Sequence, residues 1–132
     1  MQHEIDNSLA GALGICLIPS PNHNVVATMP VDTRTCRPNG LLNGGASIAM
    51  AETLAGFGSR MLCPQGKEAV GMQVTANHLS MALLGDVVTG TARPFHLGRS
   101  THIWDVEVVS AQTGKLISSV RVVNFIIDTK QK

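Results

Sequence analysis

A glutamate inside an alanine-rich, otherwise apolar stretch is the first residue here that invites a chemical reading. Glu52 stands in Ala-Ser-Ile-Ala-Met-Ala-Glu-Thr-Leu-Ala-Gly-Phe-Gly, and on a helix positions 48, 52, 56 and 59 share a face. Its neighbours on that face are Ile48, Gly56 and Ser59, and no basic residue lies three or four positions away. A routine helix ion pair is therefore absent. The ordinary fate of a helical carboxylate is a solvated surface. On a small, apolar face it either enters a pocket or destabilises the fold. In a pocket it can act as a general base or as a nucleophile.

The turn Asn43-Gly44-Gly45 just before this stretch is the second candidate. Backbone N–H groups at a helix start lack intrahelical partners and favour negative charge, so they can hold a developing oxyanion. A plain glycine-rich cap is the competing reading, and Gly-Gly alone does not decide. A third set is polar and lies in strand-flanking loops: Gly71, Asn77-His78, and Phe95-His96-Leu97-Gly98-Arg99-Ser100. Histidines scattered in this way are more often structural. No His/Cys/Asp grouping has metal-ligand spacing, which leaves metal sites empty of candidates. No GxSxG elbow, Walker loop or GxGxxG is present.

These residues need elements to position them. The only strong helix pattern runs over about 45–62, rich in Ala and Met, with Asn43 and Ser47 as possible caps and Pro64 and Gly66 ending it. Gly56 and Gly58 each cost roughly 1 kcal/mol against Ala. Small residues at that cost imply close approach to a sheet. A short helix over 8–13 and strands over 14–19 and 25–29 precede it, joined by the Pro-Asn-His-Asn turn at 21–24. The 32–42 segment, with Arg34, Arg37, Pro38 and Gly40, reads as a long loop, a length usually tied to function. Strands follow at 70–77, 87–93, 103–110 and 116–128, rich in Val, Ile and Thr, with a hairpin turn at 111–114. Residues 121–127 are almost continuously apolar, as expected where both sheet faces are covered. The order predicts an α+β domain spanning 1–132, an antiparallel sheet against one long helix.

Composition sets bounds on partners. Hydrophobic residues make up 44% and charged residues 14%, which is too apolar for disorder and poor in charge for a free monomer. An oligomer follows as the expectation. Net charge is +1, without a Lys/Arg cluster, and Tyr is absent, so neither a nucleic-acid surface nor a base-stacking platform is expected. Cys16, Cys36 and Cys63 are odd in number and lack CxxC spacing, which favours reduced thiols. With no signal peptide or membrane span visible, a cytoplasmic location is expected.

The string Gly40-Leu41-Leu42-Asn43-Gly44-Gly45-Ala46-Ser47, followed by Ala51-Glu52-Thr53, resembles the hotdog-fold acyl-CoA thioesterases. It looks most like the branch acting on 1,4-dihydroxy-2-naphthoyl-CoA and on aryl groups carried by the enterobactin synthase. Matching segments continue in order: Met29-Pro30-Val31-Asp32 with Arg34-Thr35, Val70-Gly71, Ala76-Asn77-His78, and Pro94-Phe95-His96-Leu97-Gly98. The resemblance covers roughly residues 10–127. It implies a sheet wrapped on a central helix, homodimers commonly paired into homotetramers, and active sites at the dimer interface. It further implies that the Gly44 N–H polarises the thioester carbonyl while Glu52 acts as base or nucleophile. Gly71, His78 with Leu79 and Ser80, and His96 with Gly98, Arg99 and Ser100 match positions lining the coenzyme A and acyl sites. No cofactor is implied beyond the coenzyme A of the substrate.

Departures from the family pattern touch the chemistry. Asn43 replaces the motif histidine, Arg37 stands where an amide side chain usually assists the carbonyl, and Gly56 replaces a hydroxyl that holds the water. Arg37 is a stronger donor than an amide, yet it could also pair with Glu52. Ser80 stands where that branch often has an arginine, leaving Arg93 or Arg99 for the phosphates. The expected function is hydrolysis of an acyl- or aryl-CoA thioester. A hotdog protein that binds acyl-CoA with weak hydrolysis is the first rival. A hydratase ranks last, because it needs an Asp/His pair this helix start does not supply.

Overall fold

Alternation of apolar and polar residues along β5 (Thr101–Ser110) gives a strictly two-faced strand. His102, Trp104, Val106 and Val108 point inward and are buried, and Glu107 points outward. Its neighbours follow the same period, so one face of the sheet is sealed. In the computed structural model, which describes residues 2–129, the six strands lie in the order β1-β2-β4-β5-β6-β3. They are β1 (Cys16–Ile18), β2 (Val25–Pro30), β3 (Lys67–His78), β4 (Val87–Leu97), β5 and β6 (Leu116–Asp128), all paired antiparallel. Two short helices, α1 (Gln2–Asp6) and α2 (Leu9–Ala12), precede β1, and α3 (Gly44–Leu62) lies between β2 and β3. The first of these gave no sequence signal.

The inner sheet face packs on α3. Met50, Ala51, Leu54 and Ala55 form the buried stripe of the helix, against Val106, Val120, Val122 and Trp104. The expected role of a small helix residue is met at Gly58, where an added Cβ would overlap the Trp104 indole. Ser59 also belongs to this buried side rather than to an open Glu52 face. Gly56 has nothing within 4 Å of its would-be Cβ, so no sheet packing requires its smallness.

Three differences from the sequence reading bear on the site. First, β3 starts at Lys67 and β4 runs on to Leu97, so Gly71, His78 and His96 lie in strands and not in flanking loops. The irregularity in pairing at Pro94/His96 falls just past the expected end of β4 at residue 93. Second, the outer sheet face is uncovered: Phe125 is 41% exposed, beside Val70 at 37%. The apolar run at 121–127 is covered on one face within a single chain. Third, β3 is an edge strand, with Met72 and Val70 exposed along it. An edge of that length, so open, invites pairing. The 32–42 loop is held by short bridges, Cys36 to Leu42 and Leu41 to Leu83, and by Thr35 Oγ1 donating to Pro30 O at 2.8 Å.

Candidate active site

The start of α3 is built from its cap outward. Asn43 takes extended backbone angles, and its side-chain oxygen accepts from Gly45 N–H at 2.8 Å. Its carbonyl oxygen accepts from Ala46 and Ser47 N–H. The cap thus occupies three of the first four donors, and Gly44 N–H is left without an acceptor among the described residues. Gly44 sits against the His78 imidazole, with an added Cβ falling 2.6 Å from Nε2. Only glycine allows this approach. His78 is held in turn by Nδ1, 2.7 Å from the Oγ of buried Ser118. Arg37, Gly44, Ser47, His78, Ser80 and Ile117 are among the residues lining one cleft of about 150 Å³.

The second group forms farther along the helix. Glu52 is exposed, and its carboxylate lies over Gly71 of β3, where an added Cβ would overlap Oε2. Gly71 is paired with Asn124 of β6, a residue 1% exposed. Glu52 forms no ion pair with Arg37 within the chain, among the described residues. Gly44 and Glu52 are eight positions apart, about 12 Å along the helix axis, more than a glutamate side chain spans.

A third group is the β4–β5 turn. Gly98 N–H closes it on Thr101 O at 2.9 Å, and His96 packs so close that a Cβ on Gly98 would meet its ring. Arg99 and Ser100 are exposed at the tip. Of the two arginines considered for phosphate, Arg93 is tied to Glu107 at 3.2 Å on the outer sheet face. Arg99 remains exposed. Leu79 and Ser80 follow β3, and Leu79 is 58% exposed. No cluster of three or more potential metal ligands exists among the described residues.

The chain and its fold resemble known proteins. Residues 39–117 match the thioesterase superfamily. The chain belongs to that family. It is a hotdog-fold thioesterase, a thioester hydrolase, with its sheet and long central helix arranged as in solved thioesterase structures. One from Haemophilus influenzae superposes with a TM-score of 0.90 at 35% identity, covering 96% of this chain and 87% of that one. One from Pseudomonas aeruginosa gives 0.91 at 37% identity, covering 96% and 91%. Among curated relatives, the 1,4-dihydroxy-2-naphthoyl-CoA hydrolase of Escherichia coli is 37% identical over 92% of this chain and 88% of its own length. The proofreading thioesterase EntH of Cronobacter sakazakii is 38% identical over 81% and 77%.

The structure therefore gathers Arg37, Gly44, His78 and Ser80 in one place, and Glu52 with Gly71 in another. His96, Gly98, Arg99 and Ser100 form a third. The sequence reading missed Ser118, which pins His78, and Asn124, which stands behind Gly71. Asn124 had one signal: it is the polar residue inside the apolar run 121–127 after Arg121, at an inward position.

Behind Asn124 lies a buried polar network. Ser59 Oγ is 2.8 Å from Trp104 Nε1, 2.8 Å from His102 Nδ1 and 3.1 Å from Asn124 Nδ2. An indole N–H and an amide N–H can only donate. They fill both lone pairs of the hydroxyl, so its single proton goes to His102 Nδ1. The imidazole is thereby fixed as the neutral Nε2–H form. Burial first, and the nearby His96 second, also push the His102 pKa below the ordinary histidine value.

Proposed function

We propose that this thioesterase hydrolyses an acyl- or aryl-CoA thioester in a site completed by two copies of the chain. Gly44 N–H is the oxyanion donor and Glu52 the base or nucleophile. The observation that carries this reading is that Gly44 N–H, without an acceptor among the described residues, belongs to a residue lining one cleft with Arg37 and His78. Asn43 in place of the family histidine leaves that donor free, because its own side chain caps Gly45 instead.

The need for a second copy follows from β3. His78, under Gly44, is the last residue of the edge strand β3, and Gly71, under Glu52, lies near its middle. When an antiparallel strand pairs with its own copy across a two-fold axis, one end of each lies beside the other end of its partner. Both inner faces stay on the same side. With Gly71 of one copy set opposite His78 of the other, Glu52 of the first copy faces Gly44 of the second across neighbouring strands. A homodimer through β3 supports this site, and the uncovered outer face offers a second contact for a homotetramer.

In the reaction the carbonyl oxygen accepts from Gly44 N–H, with Arg37 beside it. Glu52 takes a proton from water as the water oxygen bonds to the acyl carbon, or attacks that carbon itself. The C–S bond then breaks, and the departing thiolate is protonated to coenzyme A thiol. This chemistry requires no metal or redox cofactor. Arg99, on the exposed β4–β5 turn, suits the coenzyme A phosphates, and Gly71, His78, Leu79, Ser80, His96, Gly98 and Ser100 line the path between. The free cysteines are consistent with a reducing cytoplasm, and no described helix is long and apolar enough to cross a membrane. The test is release of free thiol from a panel of acyl- and aryl-CoAs by wild type and by Glu52→Gln. Equal turnover by the two on every substrate would make Glu52 structural.

A further inference from the structure

We infer that Asn124 orients the attacking water through its side-chain carbonyl oxygen, a role that rests on the proposed hydrolysis at Glu52. The direction of this amide is fixed chemically. Its nitrogen lies 3.3 Å from Ala55 O, which only accepts, and 3.1 Å from Ser59 Oγ. Both N–H groups are therefore used, and a flipped amide would set oxygen against oxygen. Oδ1 must face the other way, toward Gly71, where it lies 3.9 Å from the position of an added Cβ. Glu52 Oε2 reaches the same space. Asn124 is 1% exposed, yet no group among the described residues donates to Oδ1. Fully buried polar side-chain atoms without a partner are absent among those residues, so Oδ1 opens into the gap that Gly71 leaves.

Two acceptors, Glu52 Oε2 and Asn124 Oδ1, thus border one small gap. Water is the group that satisfies both, since it gives one O–H to each and leaves its lone pair directed outward. As the water oxygen bonds to the acyl carbon, the proton shared with Glu52 transfers to the carboxylate, and the O–H on Asn124 stays in place. The tetrahedral intermediate then expels thiolate, which recovers that proton from Glu52. Asn124 takes no proton; it sets the angle of attack. Ser59, His102 and Trp104 hold it there, which explains a buried histidine and serine that the reaction does not otherwise use.

Steady-state hydrolysis of an acyl-CoA by purified full-length variants tests this. Asn124→Leu is expected to lower kcat by about tenfold or more, the worth of one orienting hydrogen bond, with KM unchanged within about twofold. Glu52→Gln serves as the control on which the role depends. If Glu52→Gln is inactive while folded Asn124→Leu keeps wild-type kcat, the inference is overturned and the reading of Glu52 survives. If Glu52→Gln is itself fully active, the hydrolysis at Glu52 falls and the inference with it. Should Asn124→Leu fail to fold, Asn124→Asp decides. Protonated, the new carboxyl donates to Ala55 O and keeps an oxygen toward Glu52; ionised, it repels that carboxylate. Its kcat should fall as pH rises through a limb absent from wild type. A pH profile parallel to wild type would overturn the inference.

Discussion

The two ends of the candidate site differ in how far one chain can finish them. At the Gly44 end, cap, glycine, imidazole and buried serine interlock, and each group has its position fixed by a neighbour in the same chain. At the Glu52 end, the carboxylate lies exposed over a glycine on a free sheet edge. An oxyanion donor made of backbone needs only local sequence to set it. A carboxylate that must meet a carbonyl held elsewhere needs a surface that the single chain does not contain. The difference teaches that the functional unit, as proposed, is a pair of half-sites.

The largest expected effect breaks this comparison directly. Glu52→Gln should lower turnover by about 10² to 10⁴, the usual worth of a general base. Gly44→Ala should also be nearly inactive, because its Cβ would displace the His78 ring beside the donor. Unfolding the two variants together and refolding them should restore about a quarter of wild-type activity, since half the dimers are mixed and each mixed dimer holds one intact site. Free-thiol release from the refolded mixture reads this out. No recovery above the separate variants, with mixed dimers demonstrated by mass, would mean that each chain holds its own site.

A second substitution probes the common scaffold under both ends. Gly58→Ala puts a methyl group into the Trp104 indole, which is fully buried. Overpacking of this kind costs about 1–3 kcal/mol, so the melting temperature should drop by several degrees. An unchanged melting temperature would show that the indole shifts freely.

Much of this was legible beforehand. The helix, its cap at Asn43, Glu52 and the last four strands follow from periodicity, capping chemistry and β-branched composition. The resemblance implied roles for Gly44, Gly71 and His78. What could not be read were groupings across strands: that His78 rests on Ser118, or that Asn124 stands behind Gly71. Strand register decides these, and bulges at Gly71 and Pro94 shift register by amounts no local pattern records. The outer face misled for a related reason. An apolar run signals cover on both faces, but not whether that cover comes from the same chain.

A smaller effect concerns the network shared by the Asn124 and His102 positions. The His102 pKa is lowered in the fold, so the folded state binds fewer protons than the unfolded chain, where the value is about 6.5. Stability is then fully present above about pH 6.5 and declines as pH falls through the unfolded and then the folded value. His102→Asn keeps an acceptor for Ser59 but cannot titrate. Denaturant melts from pH 7 toward pH 5 should show a shallower decline for the variant, and parallel declines would remove His102 from the account.

The smallest expected effect sharpens the comparison at Gly56. Nothing lies within 4 Å of its would-be Cβ, and the groove it lines also carries Glu4, Ser8 and Thr53. Gly56→Ser is therefore accommodated, and replacing a helical glycine should stabilise by about 0.5 kcal/mol. Its effect on rate depends on where the hydroxyl turns. Side chains on a helix lean toward the preceding turn, which here carries Glu52, so the hydroxyl can add a second contact to the water. Because Asn124 would already hold that water from the sheet, kcat should rise only a few-fold in wild type. In the Asn124→Leu background the gain should be larger, since the helix hydroxyl would then replace the missing sheet acceptor. Equal gains in both backgrounds would mean that the two groups act on different things, and the water would not be their common object.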